Sequence, residues 1–446
     1  MRPIGIDLFS GAGGLSLGFE QAGFDLRAAV EIDPIHAAVH KFNFPDCGVL
    51  ARSVVGLSAA QVREVAGLGA EDRVDVVFGG PPCQGFSMIG HRVLEDPRNR
   101  LVHEFVRLVH ELRASYFLFE NVKGLTVGRH RAFLNELVMA FSDVGYDVAL
   151  PWSVLDAANY GVPQHRERLI LMGARRGLKL PSYPAATTRS ADASGKGDLP
   201  VGPTTRDALG DLPNADDFPE LENGDSVKTS VYGEPSPYAA KLRGLSNDSW
   251  GFGVPRVWDP STLTSSWQTD HTEISRRRFG KTAQGSTEPI SRFYRLSPTG
   301  LSNTLRAGTD GARGAFTSPR PIHYEHDRCV TVREMARLHG FPDWFRLHWT
   351  KWHGARQIGN AVPPPLGRAV ASAIVEALGH RPRPIRKAIA LGDPALLYIR
   401  MSEAAATFGV TPPSMRRDSK SGARKRSQAE IEATQLKITP LPAPAV

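Results

Sequence analysis

Cysteine is scarce in this chain: three residues in 446. That is too few for a disulfide framework and points to a reducing compartment. Long apolar runs are missing as well. No stretch approaches the roughly 18 consecutive apolar residues of a membrane span. The first residues run straight into a strand-like segment, without the basic-then-apolar pattern of a secretion signal. The expectation is a cytoplasmic protein without a membrane segment, and no metal centre is expected. Internal repeats are absent. A strong excess of one charge is also missing from most of the chain. The formal net charge is +8, yet residues 381–446 hold twelve Lys/Arg against five Asp/Glu, leaving only +1 for the first 380. The basic tail suits a polyanionic partner as well as a plain solvated terminus.

What is present is ordinary globular chemistry, with 41% hydrophobic and 22% charged residues and room for two or three domains. The first third alternates strand-like and helix-like segments. Residues 4–8, 26–32, 74–78, 116–119 and 169–172 read as buried strands. Residues 15–22 and 101–112 have helical spacing, the second with Leu101, Phe105, Leu108 and Val109 on one side. Strands alternating with helices predict an α/β fold, a mostly parallel sheet covered on both faces. Past Arg176 the texture changes to Pro, Gly, Ser, Thr, Asn and Asp, with Tyr232, Tyr238, Trp250, Phe252, Trp258 and Trp267 scattered through it. That reads as a loop-rich recognition region. Order resumes at 293–305 and 330–339, and a helix is expected at 369–378.

The chemistry concentrates in short blocks. Gly79-Gly80-Pro81-Pro82-Cys83-Gln84-Gly85-Phe86-Ser87 ends a strand. Two prolines stiffen the turn and glycines allow close approach, which is how a chain displays a nucleophilic thiol. Cys47 and Cys329 have no such context and read as packing residues. Asp7-Leu8-Phe9-Ser10-Gly11-Ala12-Gly13-Gly14 joins a strand to a helix, and Glu31 follows at the end of the next strand. A glycine turn followed by a carboxylate suits the ribose of a nucleotide cofactor. NAD, FAD and S-adenosylmethionine all fit, although Ser16 stands where a dinucleotide fingerprint needs glycine. Glu120-Asn121-Val122 follows another apolar strand, where a glutamate needs a partner or a task. Gln164-His165-Arg166-Glu167-Arg168 places two arginines at i, i+2, on one face if extended. Gly359-Asn360-Ala361-Val362-Pro363 leads into a helix.

Taken in order, with Arg295-Leu296-Ser297-Pro298 and Asn303-Thr304-Leu305-Arg306, these blocks resemble those of the DNA (cytosine-5)-methyltransferases of bacterial restriction-modification type. The resemblance covers residues 1–380. It implies a Rossmann-like, doubly wound S-adenosylmethionine-dependent methyltransferase sheet with a smaller loop-rich target-recognition domain. The implied division is 1–180 catalytic and cofactor-binding, 181–345 target recognition, 346–380 a return to the catalytic domain, and 381–446 a basic extension. Within 401–417 the pattern of a weak helix-turn-helix is visible.

The resemblance also assigns roles. Cys83 adds to carbon 6 of a flipped-out cytosine in duplex DNA, Glu120 contacts N3, Arg168 holds O2, and Arg166 supports it. Phe9, Ser10, Gly11, Gly13, Glu31, Ile32, Gly80, Pro81, Asn360 and Val362 surround S-adenosylmethionine. Ser87, Arg92 and Arg98, in the loop after the nucleophile, and Arg276, Arg277 and Arg278 meet DNA. The family's usual acid near the adenine amino group is missing from residues 49–54, where Ser53 or a carbonyl stands in. A monomer is expected, with a cognate restriction endonuclease as functional partner. Two rivals remain. A tRNA cytosine methylase should carry a Cys-Phe-Thr tripeptide, and none is present. A DNA-binding regulator on a dead methylase fold should have lost Cys83, Glu120 or Arg168, and all three stand in the sequence.

Overall fold

The computed structural model describes residues 2–82, 99–126, 130–193, 197–309 and 317–412. Cys83, Ser87, Arg92 and Arg98 lie outside the described residues.

The chain opens as β1 (Ile4–Leu8), α1 (Gly14–Ala22), β2 (Asp25–Val30), α2 (Pro34–Asn43), β3 (Gly48–Leu50), α3 (Ala59–Val65) and β4 (Val76–Gly79). It continues through α4 (Arg100–Glu111), β5 (Tyr116–Val122), α5 (His130–Asp143), β6 (Tyr146–Val148), β7 (Ser153–Asp156) and β8 (Glu167–Arg175). These strands form one sheet in the order β3-β2-β1-β4-β5-β8-β6, with β7 also on β8. β1 to β5 are parallel, whereas β8 runs antiparallel to β5, β6 and β7.

Strand residues alternate between two cores. Tyr116 and Leu118 of β5 join Phe19, Phe78, Ile170 and Met172 on one face. Phe117 and Phe119 join Val77, Phe105, Phe141 and Leu171 on the other. A strand buried on both faces reads as a continuous apolar run, which is why these strands are visible in the sequence. The α2 helix has a start signal in Asp33-Pro34, with the Asp33 carboxylate accepting from Ile35 and His36 amides, but its apolar residues are mixed with histidines.

The polypeptide then leaves the sheet. It forms the short helices α6 (Thr205–Leu209), α7 (Pro237–Leu242), α8 (Glu273–Lys281) and α9 (Val332–Leu338), with small strands between them. Arginine supplies much of the interior here. Arg337, fully buried, bonds to Asp211 and Asp343, and Arg328 to Glu334. Such pairs persist because removing one partner strands a buried charge. The region is tied to α1 by a buried pair, Arg256 Nη2 to Glu20 Oε2 at 2.7 Å. Then come α10 (Lys351–Asn360) and α11 (Pro364–Ala377). α11 packs on α1 so closely that a Cβ at Gly18 would sit 2.6 Å from Arg368 N.

The segment after α11 differs from a free basic extension. Arg256 and Val257 pair in parallel with Ile389 and Ala390. Leu397 is buried against Ala12, Val39 and Phe42. Residues 388–399 are mostly apolar, with Asp393 the one charge, and Leu391 and Leu396 pack beside Leu397, so burial of this apolar patch holds the segment down. α12 (Met401–Thr407) matches the first helix of the helix-turn-helix pattern, and Gly409 turns the chain at φ 65°. The second segment of that pattern lies outside the described residues. Among the described residues, no helix is long and apolar enough to cross a membrane.

Candidate active site

The strand order reverses between β1 and β4, which is where sheets of this kind offer a crevice at the carboxyl ends of the parallel strands. The turn after β1 occupies it. Phe9 at φ 69°, Gly11 at 54° and Gly13 at 104° are all left-handed, so the chain bends sharply and begins α1 at once. The Phe9 and Ser10 amides donate to Val30 O at 2.9 and 3.0 Å. Glu31 closes the turn, accepting from Gly11 N (2.8 Å) and Asp33 N (2.9 Å). Burial pushes its carboxyl above the usual range, opposed by His36 and these amides. Ser10 Oγ is buried without a hydrogen-bond partner. Ile32, next to Glu31, is 65% exposed.

Gly14 lets a distant block approach. A Cβ there would lie 2.6 Å from Val362 O, so the 359–363 turn rests on the start of α1. Val362 is buried and Asn360 exposed. Beneath the turn, Ser16 Oγ donates to Asp7 Oδ2 at 2.5 Å and lies 3.0 Å from His40 Nε2. Burial pushes the Asp7 carboxyl well up and His40 down to about 3. This polar network is invisible in the sequence, because Asp7 and Ser16 fall within apolar runs. In the stretch lacking the usual acid, Ser53 Oγ accepts from Val55 N at 3.1 Å.

A second group forms at the ends of β4 and β5. Because β8 is antiparallel, its beginning lies beside the end of β5, with Val122 opposite Arg168 and Glu120 opposite Ile170. Glu120 and Arg168 therefore share one face diagonally. Arg168 Nε meets Glu120 Oε1 at 2.8 Å, and each side chain is 12% exposed. Burial raises the Glu120 carboxyl above its ordinary value, with Arg168 and Arg166 opposing. Gly80 makes room, since a Cβ at that position would run into Glu120 Oε2. Pro81 O accepts from Asn121 Nδ2 at 2.9 Å, anchoring the segment that leads to Cys83.

Arg166 faces inward. It is 1% exposed, with Nη1 donating to Leu305 O (2.9 Å) and Nη2 to Gly359 O (2.7 Å). One guanidinium thus joins three blocks that are far apart in sequence. Its two donors are turned to backbone carbonyls inside the fold. Gln164 continues the seam, accepting from Leu305 N and donating to Leu338 O. Asp156, outside every motif, accepts from Arg166 N at 2.8 Å and bonds His165 Nδ1 at 2.7 Å. Cys47 and Cys329 are free and buried, as their contexts suggest.

The three arginines of α8 separate. Arg276 pairs with Asp216 at 2.9 Å, and Arg277, largely exposed, pairs with Glu273. Arg278 requires a correction. It is 5% exposed, beside Glu288 and bonded to Ser275, so it packs α8 and is unavailable to a phosphate. Successive helical residues point about 100° apart, so three in a row cannot share one face.

Residues 4–376 match the model of the C-5 cytosine-specific DNA methylases. The chain belongs to that family. It is accordingly a DNA (cytosine-5)-methyltransferase. It is 58% identical over 419 residues to the Type II methyltransferase M.XorII of Xanthomonas oryzae pv. oryzae, covering 94% of this chain and 95% of that one. It is 33% identical to the Type II methyltransferase M.AgeI of Thalassovita gelatinovora, covering 84% and 99%. A crystal structure of a prophage-encoded DNA modification methyltransferase of E. coli superimposes with TM-score 0.67 at 34% identity, covering 85% of this methyltransferase and all of the other.

Proposed function

We propose that this methyltransferase modifies carbon 5 of a cytosine flipped out of a specific duplex sequence, through a covalent bond between Cys83 and carbon 6. The observation that carries the reading is the Glu120–Arg168 pair, 2.8 Å apart, beside the Gly80-Pro81 segment that leads to Cys83. Inside a duplex none of the reacting atoms is accessible, so the base must leave the stack. Addition of the Cys83 thiolate at carbon 6 makes carbon 5 electron-rich and pushes charge onto N3 and O2. Glu120, its carboxyl raised by burial, holds a proton at N3, and Arg168 stabilises charge at O2. Once carbon 5 carries the methyl group, its proton leaves to a base. The thiolate is then expelled and the carbon 5–carbon 6 double bond returns.

The crevice fits S-adenosylmethionine, which supplies the methyl group when bound. Ser10 Oγ lacks a partner, the Glu31 carboxylate would accept from the ribose hydroxyls beside its two backbone amides, and Ile32 exposes an apolar face for a purine. Phe9, Gly11, Gly13, Gly80, Pro81, Asn360 and Val362 complete the surround. The kinship to Type II methyltransferases supports protection of cellular DNA against a cognate restriction endonuclease. The same reading takes the enzyme as a monomer acting in the cytoplasm. Residues 181–345 are assigned to target recognition and 1–180 with 346–380 to chemistry.

Bisulfite sequencing of DNA from cells expressing the chain tests the reading. One cytosine within a fixed sequence context should be protected, and Cys83→Ser should remove the signal while duplex binding persists. Oligonucleotides with 5-fluorocytosine at the target should form a complex stable to denaturation, since carbon 5 then has no proton to lose. Turnover by the serine variant near the wild-type rate would overturn the covalent step.

A further inference from the structure

Beside the crevice, two helices meet at a second cluster. Asp33 caps α2 through Oδ1, which accepts from Ile35 N (2.9 Å) and His36 N (3.3 Å). Its other oxygen, Oδ2, faces His36 Nε2 at 3.9 Å, too far for a hydrogen bond. His353 comes from α10, its ring edge-on to His36 with centroids 6.5 Å apart. One ligand atom from each of Asp33, His36 and His353 falls within 4.8 Å of the others.

The nitrogens mark this cluster out. His36 is 4% exposed, and its Nε2 makes no hydrogen bond. His353 Nδ1 is likewise shielded and unpartnered. Buried polar atoms are nearly always satisfied, so two unpartnered imidazole nitrogens in one Asp–His–His cluster call for a common partner. The neighbouring His348 shows the contrast. Its nitrogens bond to Thr350 Oγ1 (2.9 Å) and Ile399 O (3.1 Å), so it is spoken for.

We propose that Asp33, His36 and His353 bind a divalent transition-metal ion of the zinc type. Two imidazoles and one carboxylate suit zinc, whereas calcium and magnesium prefer oxygen donors. Zinc bonds near 2 Å in a tetrahedron place donors about 3.3 Å apart, within reach of small side-chain rotations. Water completes the fourth position. The ion joins the start of α2 to α10. On the cofactor reading above, it therefore braces two elements of that pocket, since Glu31 precedes α2 and Asn360 ends α10.

The test uses the full chain after chelator treatment. Titration with cobalt(II) should give visible d–d bands saturating at one ion per chain, and calorimetry with zinc chloride the same stoichiometry. His36→Ala and His353→Ala should each weaken binding at least tenfold, with circular dichroism confirming that they fold. X-ray absorption of the zinc-loaded wild-type protein should show two imidazole ligands. That measurement decides the matter if either variant misfolds. Failure of the wild-type chain to bind stoichiometrically, unchanged affinity in both variants, or absence of imidazole scattering would each overturn the site.

Discussion

At the scale of single residues, Gly80 and Glu120 form a unit. A methyl group at position 80 would occupy the place of Glu120 Oε2, the end of a side chain that can swing away. Gly80→Ala should therefore leave stability within about 1 kcal/mol while lowering kcat on the order of 10²-fold, the scale of a lost acid–base group. Thermal unfolding alongside single-turnover methylation separates the two effects. Glu120 also sets a pH dependence. Burial raises its pKa in the folded chain, so the folded state holds the proton more tightly than the unfolded one. Its contribution to stability is full at low pH and is lost as pH rises through the raised value. Activity follows the same sign, because the proton at N3 is lost with it. The kcat of the wild-type enzyme should fall across that limb, and Glu120→Gln should be slower but lack it. A Gln variant that keeps the limb would assign the proton to another group.

At the scale of elements, the segment after α11 belongs to the folded body. Leu397, buried against Ala12, Val39 and Phe42, ties it to α2 and to the glycine turn. Leu397→Ala should cost about 2–5 kcal/mol, read from urea denaturation. Truncation after residue 412 should leave folding and low-salt activity intact, whereas truncation after 384 should not; equal stability of the two would show the contact to be idle. The α8 helix gives a parallel case for the proposed DNA contacts. Arg276→Ala and Arg277→Ala should each reduce the slope of log affinity against log salt by about 0.9 if each meets a phosphate. Arg278→Ala should leave the slope alone and lower stability, because its side chain lies inside. A slope change confined to Arg278 would reverse this assignment.

At the scale of the whole molecule, residues 186–290, the loop-rich part of the 181–345 region proposed for target recognition, are wedged into the body rather than appended to it. Arg256 reaches Glu20 on α1, and Trp250 stacks on Trp344 with centroids 5.4 Å apart. Exchange of 186–290 with the segment of a relative of known specificity should move the methylated sequence with it. The donor must bring a partner for Glu20, since a buried carboxylate left alone costs several kcal/mol. Bisulfite sequencing reads the outcome, and an active hybrid that keeps its original target would place recognition elsewhere.

Much of the crevice was legible in the amino-acid order. Strands buried on both faces are apolar runs, and a turn that must take left-handed angles keeps its glycines, so β1, β2, β4, β5 and the Gly11–Gly14 turn stand out locally. Glu120, Arg166 and Arg168 stand out because charge beside such runs is costly without a partner. The arrangement of those groups was not legible. That Arg166 turns inward to Leu305 and Gly359, that Arg278 is buried while Arg277 is exposed, and that Leu397 closes over Ala12 depend on contacts between residues far apart in the chain. So does the meeting of Asp33 and His36 with His353. Local sequence fixes backbone preference and apolar period within a few residues. Which side chain satisfies which buried group is decided only when the sheet and its covering helices bring distant segments together.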